Sequence, residues 1–151
     1  MNGVYMELAM RVQPAPVAPA DYVQACTPVD VERSLSCWGY LTMNLTTNEV
    51  PIGEVPSWCA RADLPGQFPC IEQYGRALGV EGVASCGAVA DKKELRERCV
   101  DGATGLQVGS GHVATKDALS ACGDVTQSSL RTYCSRAVER YAEGRRQVEA
   151  A

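Results

Sequence analysis

The sequence predicts an all-α fold: tandem disulfide-stapled αα-hairpins forming a short solenoid or compact helical bundle. Three observations carry that expectation. Eight cysteines fall into four pairs, Cys26/Cys37, Cys59/Cys70, Cys86/Cys99 and Cys122/Cys134, with 10, 10, 12 and 11 residues between partners and longer gaps of 21, 15 and 22 residues between pairs. Turn-forming residues stand between the partners of every pair. Apolar residues recur at helical spacing in the segments that carry the second cysteines, and no segment alternates in the manner of a strand.

Taken in order, residues 1–12 read as a partial helix of an incomplete hairpin and residues 13–19 as a Pro-rich linker from Gln13 to Pro19. Residues 20–147 read as a single domain of four αα-hairpins at 20–45, 54–79, 80–107 and 115–147, followed by a tail at 148–151. The first helices, 20–26, 54–62, 80–88 and 115–124, are short. Thr27 suits an N-cap with Pro28 in the first helical position, while Asp63-Leu64-Pro65-Gly66 interrupts the chain between Cys59 and Cys70. Asp91 to Glu94 has capping-box spacing, and Thr126 can cap the last helix. The second helices are the better defined. Leu95, Cys99, Ala103 and Leu106 share one face of 91–106; Leu130, Cys134, Ala137, Val138 and Tyr141 share one face of 126–147. Both carry Leu-Arg-x-x-Cys, at 95–99 and 130–134, and the segments 28–45 and 67–79 are weaker copies. The opening Met1 to Leu8 resembles the stretch after a second cysteine, Cys37 to Met43, so the chain is expected to be the C-terminal part of a longer array.

At 151 residues one domain can bury a sizeable core without cross-links. Hydrophobic residues make up 46% and charged residues 21%, an ordinary globular balance, with a single Phe and two Trp beside many Ala, Val and Leu. Such a core suits closely packed helices with small residues at their contacts. A formal net charge of −4 argues against a nucleic-acid partner. The basic cluster Arg136, Arg140, Arg145 and Arg146 is interleaved with Glu139 and Glu143 and reads as a solvated helix face. No apolar stretch reaches the length of a spanning helix, and Glu7 and Arg11 break the N-terminal apolar run, so neither membrane insertion nor a signal peptide is expected in this chain.

Zinc and iron–sulfur sites need ligands close together in sequence, whereas the nearest cysteines here are 11 positions apart and His112 is the only histidine. Structural disulfides are therefore expected at all eight cysteines, with no metal and no cofactor, and an extracytoplasmic location follows from cysteine usage. Each staple closes about a dozen residues, worth about 3 kcal/mol in the loop-entropy reading. Pairing within each pair (26–37, 59–70, 86–99, 122–134) is favoured. A spacing of 11 also sits nearly in phase on one helix, so bridges 26–70 and 37–59 in a twin-cysteine hairpin remain an alternative that Pro28 and Pro65-Gly66 oppose.

Over residues 20–141 this plan resembles the bacterial cysteine-rich helical-repeat proteins related to the tetratricopeptide class, with Gly39-Tyr40 and Tyr74-Gly75 matching part of that consensus. The resemblance implies a disulfide between consecutive antiparallel helices, secretion, and partner binding through a concave face. Gly3-Val4-Tyr5-Met6-Glu7 also resembles uncharacterised bacterial helical proteins carrying Cys-x-x-Gly-Val-aromatic-Met-Glu. Neither resemblance implies a chemistry.

Candidate site residues are few. Trp38, Tyr40, Trp58 and Tyr74 lie near cysteines and, with His112, could line a ligand pocket between hairpins; packing against disulfides is the plainer reading of the aromatics. His112, after Gly109-Ser110-Gly111, has no nucleophile or carboxylate that sequence can assign to it. Gly105, Gly109 and Gly111 do not form a phosphate cradle, because no strand precedes them and no Gly-Lys-Ser/Thr follows. Asp91, Glu94, Glu97 and Asp101 are mixed with Lys92, Lys93, Arg96 and Arg98, the pattern of a solvated face rather than a cation site. No catalytic set assembles. The expected role is a non-enzymatic interaction module whose partner is another protein, with small-ligand binding as the alternative.

Overall fold

Each second helix begins where turn residues give way to apolar periodicity. The computed structural model describes Cys37, residues 50–62 and residues 64–151. Its elements are α1 (Val55–Cys59), entered through a 3₁₀ turn at Ile52–Glu54, α2 (Leu64–Leu78), a 3₁₀ helix at Val80–Ala88, α3 (Lys93–Gly109), α4 (Thr115–Gly123) and α5 (Ser128–Glu149). All regular structure among the described residues is helical, as the cysteine ladder and the periodicity predict. The helix expected at 1–12, the linker at 13–19 and most of the hairpin at 20–45, with Cys26, Trp38 and Tyr40, lie outside the described residues. The chain divides into two compact units, Met1–Tyr74 and Gly75–Ala151, with the boundary inside α2.

In the first unit, Cys59 at the end of α1 bridges Cys70 in α2, with Cα atoms 5.6 Å apart. That bond excludes the 26–70 and 37–59 alternative. Cys37 is also buried and disulfide-bonded. α2 starts at Leu64, earlier than the sequence suggests. Pro65 falls in its first turn, where the missing N–H would have no intrahelical partner anyway, and Pro69 removes a single bond near the start of the ladder. Val55, Cys59, Ala62, Cys70, Ile71 and Tyr74 are buried.

In the second unit, Cys86 bridges Cys99 and Cys122 bridges Cys134, with Cα–Cα distances of 5.5 and 5.6 Å. The segment 80–88, expected to be an α-helix, is a 3₁₀ helix. The physical reason is visible in its residues. Val80, Val83 and Cys86 recur every third position and all three are buried, so a three-residue turn stacks them on one side, while Gly82 and Gly87 weaken an α-helical alternative. Gly79 makes the entry to this segment at φ 64°, and Gln107 of α3 accepts the Val80 N–H at 2.8 Å.

Neither Asp91 nor Thr126 caps its helix: the N-cap positions are Lys92 and Gln127, with no side-chain cap bond at either. The turns are held from the other side. Arg96 donates from Nη1 to the carbonyl oxygens of Ala90 and Asp91 at 2.8 and 2.7 Å. Arg131 donates to Val125 and Thr126 at 2.8 and 3.4 Å. These are the arginines of the two Leu-Arg-x-x-Cys motifs, whose leucines, Leu95 and Leu130, are both 3% exposed.

α3 and α5 pack side by side and run parallel. Asp101 meets Tyr133 and Tyr141, Gly105 lies under the Tyr141 ring, and Val108 and Gly111 meet Arg145, so contacts advance together along both chains. The 3₁₀ helix packs on α3 and on α4, and α4 packs on α5. Equivalent elements of the two stapled hairpins therefore neighbour each other. The core between them is built of Val80, Val83, Leu95, Val100, Ala103, Val108, Ala118, Val125, Leu130, Ala137, Val138 and Ala142 with the four half-cystines. Thr104, fully buried, is satisfied by the Val100 carbonyl at 2.8 Å. Leu106 departs from expectation. Helical spacing places it with Leu95 and Cys99, yet it is 68% exposed near the end of α3. α5 also runs on to Glu149, past the tail boundary drawn at 148.

Candidate functional site

A polar constellation lies on the α3–α5 seam. Asp101 stands two residues after Cys99 and Tyr133 immediately before Cys134, so both staples fix its position. Tyr133 donates its hydroxyl to Asp101 Oδ2 at 2.8 Å, and Tyr141 donates to Oδ1 at 3.2 Å. Arg140 Nη2 reaches the same Oδ1 at 2.9 Å, with its guanidinium 5.1 Å from the Tyr141 ring centroid. The Asp101 side chain is 19% exposed and that of Arg140 58%.

Burial raises Tyr133 to about 12, and its hydrogen bond to Asp101 and the charge there push the same way. Tyr141 is raised first by burial and then by the Asp101 charge. Arg140 is held above its ordinary value chiefly by the Tyr133 and Tyr141 hydroxyls, with Asp101 adding. Two phenol hydroxyls and one guanidinium, all from α5, converge on one carboxylate of α3 and so bind the two helices together. The cluster is a polar clasp.

Its pH dependence follows. A tyrosine whose folded pKa exceeds its unfolded value near 10 contributes stability that is fully present below pH 10 and is lost as pH climbs toward about 12. Asp101→Asn should bring Tyr133 part of the way down, because burial remains. Asp101→Ala should cost about 2 kcal/mol, as two hydroxyls and a guanidinium lose their acceptor. Tyrosinate absorbance across alkaline pH, with urea unfolding of both variants, checks this; an unchanged tyrosine titration would remove Asp101 from the account.

The sequence reading put Asp101 on a solvated mixed-charge face, and the structure corrects that. Lys93 and Glu97 make such a surface pair, at 3.5 Å, while Asp101 faces α5. The signal was present: two tyrosines eight positions apart on the packed face of α5 bring two hydroxyls that need acceptors. The basic cluster is likewise only partly a solvated face. Arg140 binds Asp101, Arg145 lies against Gly111 and donates to the Val108 carbonyl at 3.4 Å, and Arg146 pairs with Glu143, whose carboxyl it holds below the usual range.

Of the proposed ligand-lining residues, Trp58 is half-buried, with the Arg61 guanidinium 3.8 Å from its ring centroid. Tyr74 is 5% exposed and its hydroxyl is raised by burial. His112 is exposed in the loop between α3 and α4. Trp38 and Tyr40 are outside the described residues. Among the described residues no group of three or more His, Cys, Asp or Glu side chains is arranged to hold a metal ion, and no helix is long and apolar enough to cross a membrane. No family model, no curated protein and no solved structure matches the chain, so its functional reading rests on the stapled hairpins and the way they stack.

Proposed function

We propose that the chain is a non-enzymatic helical-repeat interaction module that works outside the cytoplasm, in the periplasm, at the cell surface or secreted, and binds another protein. The observation that carries this reading is the parallel stacking of stapled hairpins in the second unit, with equivalent elements adjacent. Stacking of this kind makes a stiff scaffold whose outward side chains are free to vary, which is the physical basis of repeat-type binding surfaces. Buried bridges at 59–70, 86–99 and 122–134 suit an oxidising compartment.

The first residues to test are two exposed large apolar side chains of the second unit, Leu106 in α3, 68% exposed, and Val148 in α5, 79% exposed. Replacing either by Ser should change stability by less than about 0.5 kcal/mol, because little burial is lost. The same changes should weaken binding at least tenfold to a protein captured from the extracytoplasmic fraction of the source cell and then purified, read by calorimetry. Wild-type affinity in both variants would move the binding surface elsewhere. Absence of any saturable protein partner, with turnover of a small molecule instead, would overturn the module reading.

A further inference from the structure

The Arg96 and Arg131 contacts recur with a third copy, in the first unit. Gln67 Nε2 donates to the Ala62 carbonyl at 2.8 Å. Counted from the second cysteine of each bridge, Gln67, Arg96 and Arg131 all stand three residues before it, at Cys70, Cys99 and Cys134. The acceptors match as well. Ala62, Asp91 and Thr126 each stand eight residues before that cysteine, and Ala90 and Val125 nine. Three hairpins thus close their turns with a side chain at one fixed place, on carbonyls at one fixed place, less than one helical turn from the sulfur.

We propose that this turn clamp directs disulfide pairing: it closes each hairpin in the reduced chain and so brings the correct two thiols together before they are oxidised. The clamp needs no bridge to form, since it spans only the turn and the first turn of the following helix. It therefore acts on the ensemble in which pairing is decided. Four cysteines in the second unit allow three pairings; the observed one closes loops of 13 and 12 positions, against 36 and 35 or 48 and 23 in the other two, so loop entropy favours it by only about 2 kcal/mol over both bridges. The clamp adds a local bias to each hairpin on top of that. In each oxidation two thiols give up two protons and two electrons to a low-molecular-weight disulfide, which departs as two thiols by way of a mixed disulfide.

The test is oxidative refolding of the full chain. Reduced, denatured protein is diluted into buffer containing glutathione and glutathione disulfide, quenched with acid at intervals, and its bridges mapped by mass spectrometry. Arg96→Met should slow appearance of the 86–99 bridge roughly three- to tenfold, the worth of one or two such hydrogen bonds, and raise mispaired forms, while 122–134 in the same molecules serves as reference. Arg131→Met should do the converse. Arg96→Gln should restore most of the rate, because Gln67 makes the equivalent bond in the first unit. A merely structural contribution would lower the melting temperature of the fully bridged protein without changing which pairs form or how fast. Unchanged pairing rates in both Met variants, or a Gln variant as slow as the Met one, would overturn the proposal.

Discussion

Gly75→Ala should destabilise the protein by about 3 kcal/mol or more, the largest effect expected from any single added methyl group. A Cβ at this position would fall on the carbonyl oxygen of Cys99, far inside van der Waals contact, and 3.0 Å from the Ala103 amide nitrogen. Both are backbone atoms of α3, so no side chain can swing away. The helix must move, and α3 is pinned by the Cys86–Cys99 bridge and clasped to α5 through Asp101. Gly105→Ala should be milder, because the added carbon would lie 3.1 Å from the edge of the Tyr141 ring, which can tilt. Gly144 in α5 gives the opposite sign: exposed, with nothing within 4 Å of its Cβ position, it should gain about 0.5–1 kcal/mol on substitution by Ala from helix propensity alone. Urea unfolding of the three variants under non-reducing conditions checks the order. A Gly75→Ala protein as stable as the parent would show that the helices do not approach as described.

Much of this architecture was legible in the cysteines, and the reason is physical. A disulfide limits its two Cα atoms to a narrow distance range, so a regular cysteine ladder interrupted by turn residues is already a statement about hairpins. Periodicity found α3 and α5 because both have one apolar face and one polar face. It misjudged 80–88, whose apolar residues recur at three rather than at 3.6, and it misplaced Leu106, which keeps the phase of Leu95 and Cys99 yet is exposed. The capping signals at Asp91 and Thr126 placed the helix starts one residue early, the N-cap positions being Lys92 and Gln127. The turn carbonyls there are satisfied by arginines from the helix that follows, a contact that local cap rules do not contain. The Asp101 clasp was hidden by sequence distance: Tyr133 and Tyr141 stand 32 and 40 residues away, and only the stacking of two stapled hairpins brings them together. Of the candidate ligand residues, aromatic character near a cysteine was a sound guide to packing for Tyr74, which is buried.

Complete reduction should unfold the chain, and this is the expected result on which both the fold and its compartment depend. Each described staple closes 11 to 13 positions and is worth about 3 kcal/mol in the loop-entropy reading, so removing three of them takes away a sum comparable to the whole stability of an ordinary domain. The cores they cross are made of small side chains, mostly Val and Ala, which bury little area each and leave a small surplus once cross-links are gone. Reduction should nevertheless be slow. The sulfurs of Cys59, Cys70, Cys86, Cys99, Cys122 and Cys134 belong to residues with 0% exposure, so a thiolate reaches them only when a hairpin opens. With dithiothreitol and no denaturant, thiol release should lag far behind that of an exposed disulfide and accelerate steeply in low urea. Helical circular dichroism should fall in step with it. If fully reduced, alkylated protein kept a cooperative melt within a few degrees of the oxidised form, the staples would be ornaments on a self-sufficient bundle, and the argument from bridges to an oxidising compartment would lose its force.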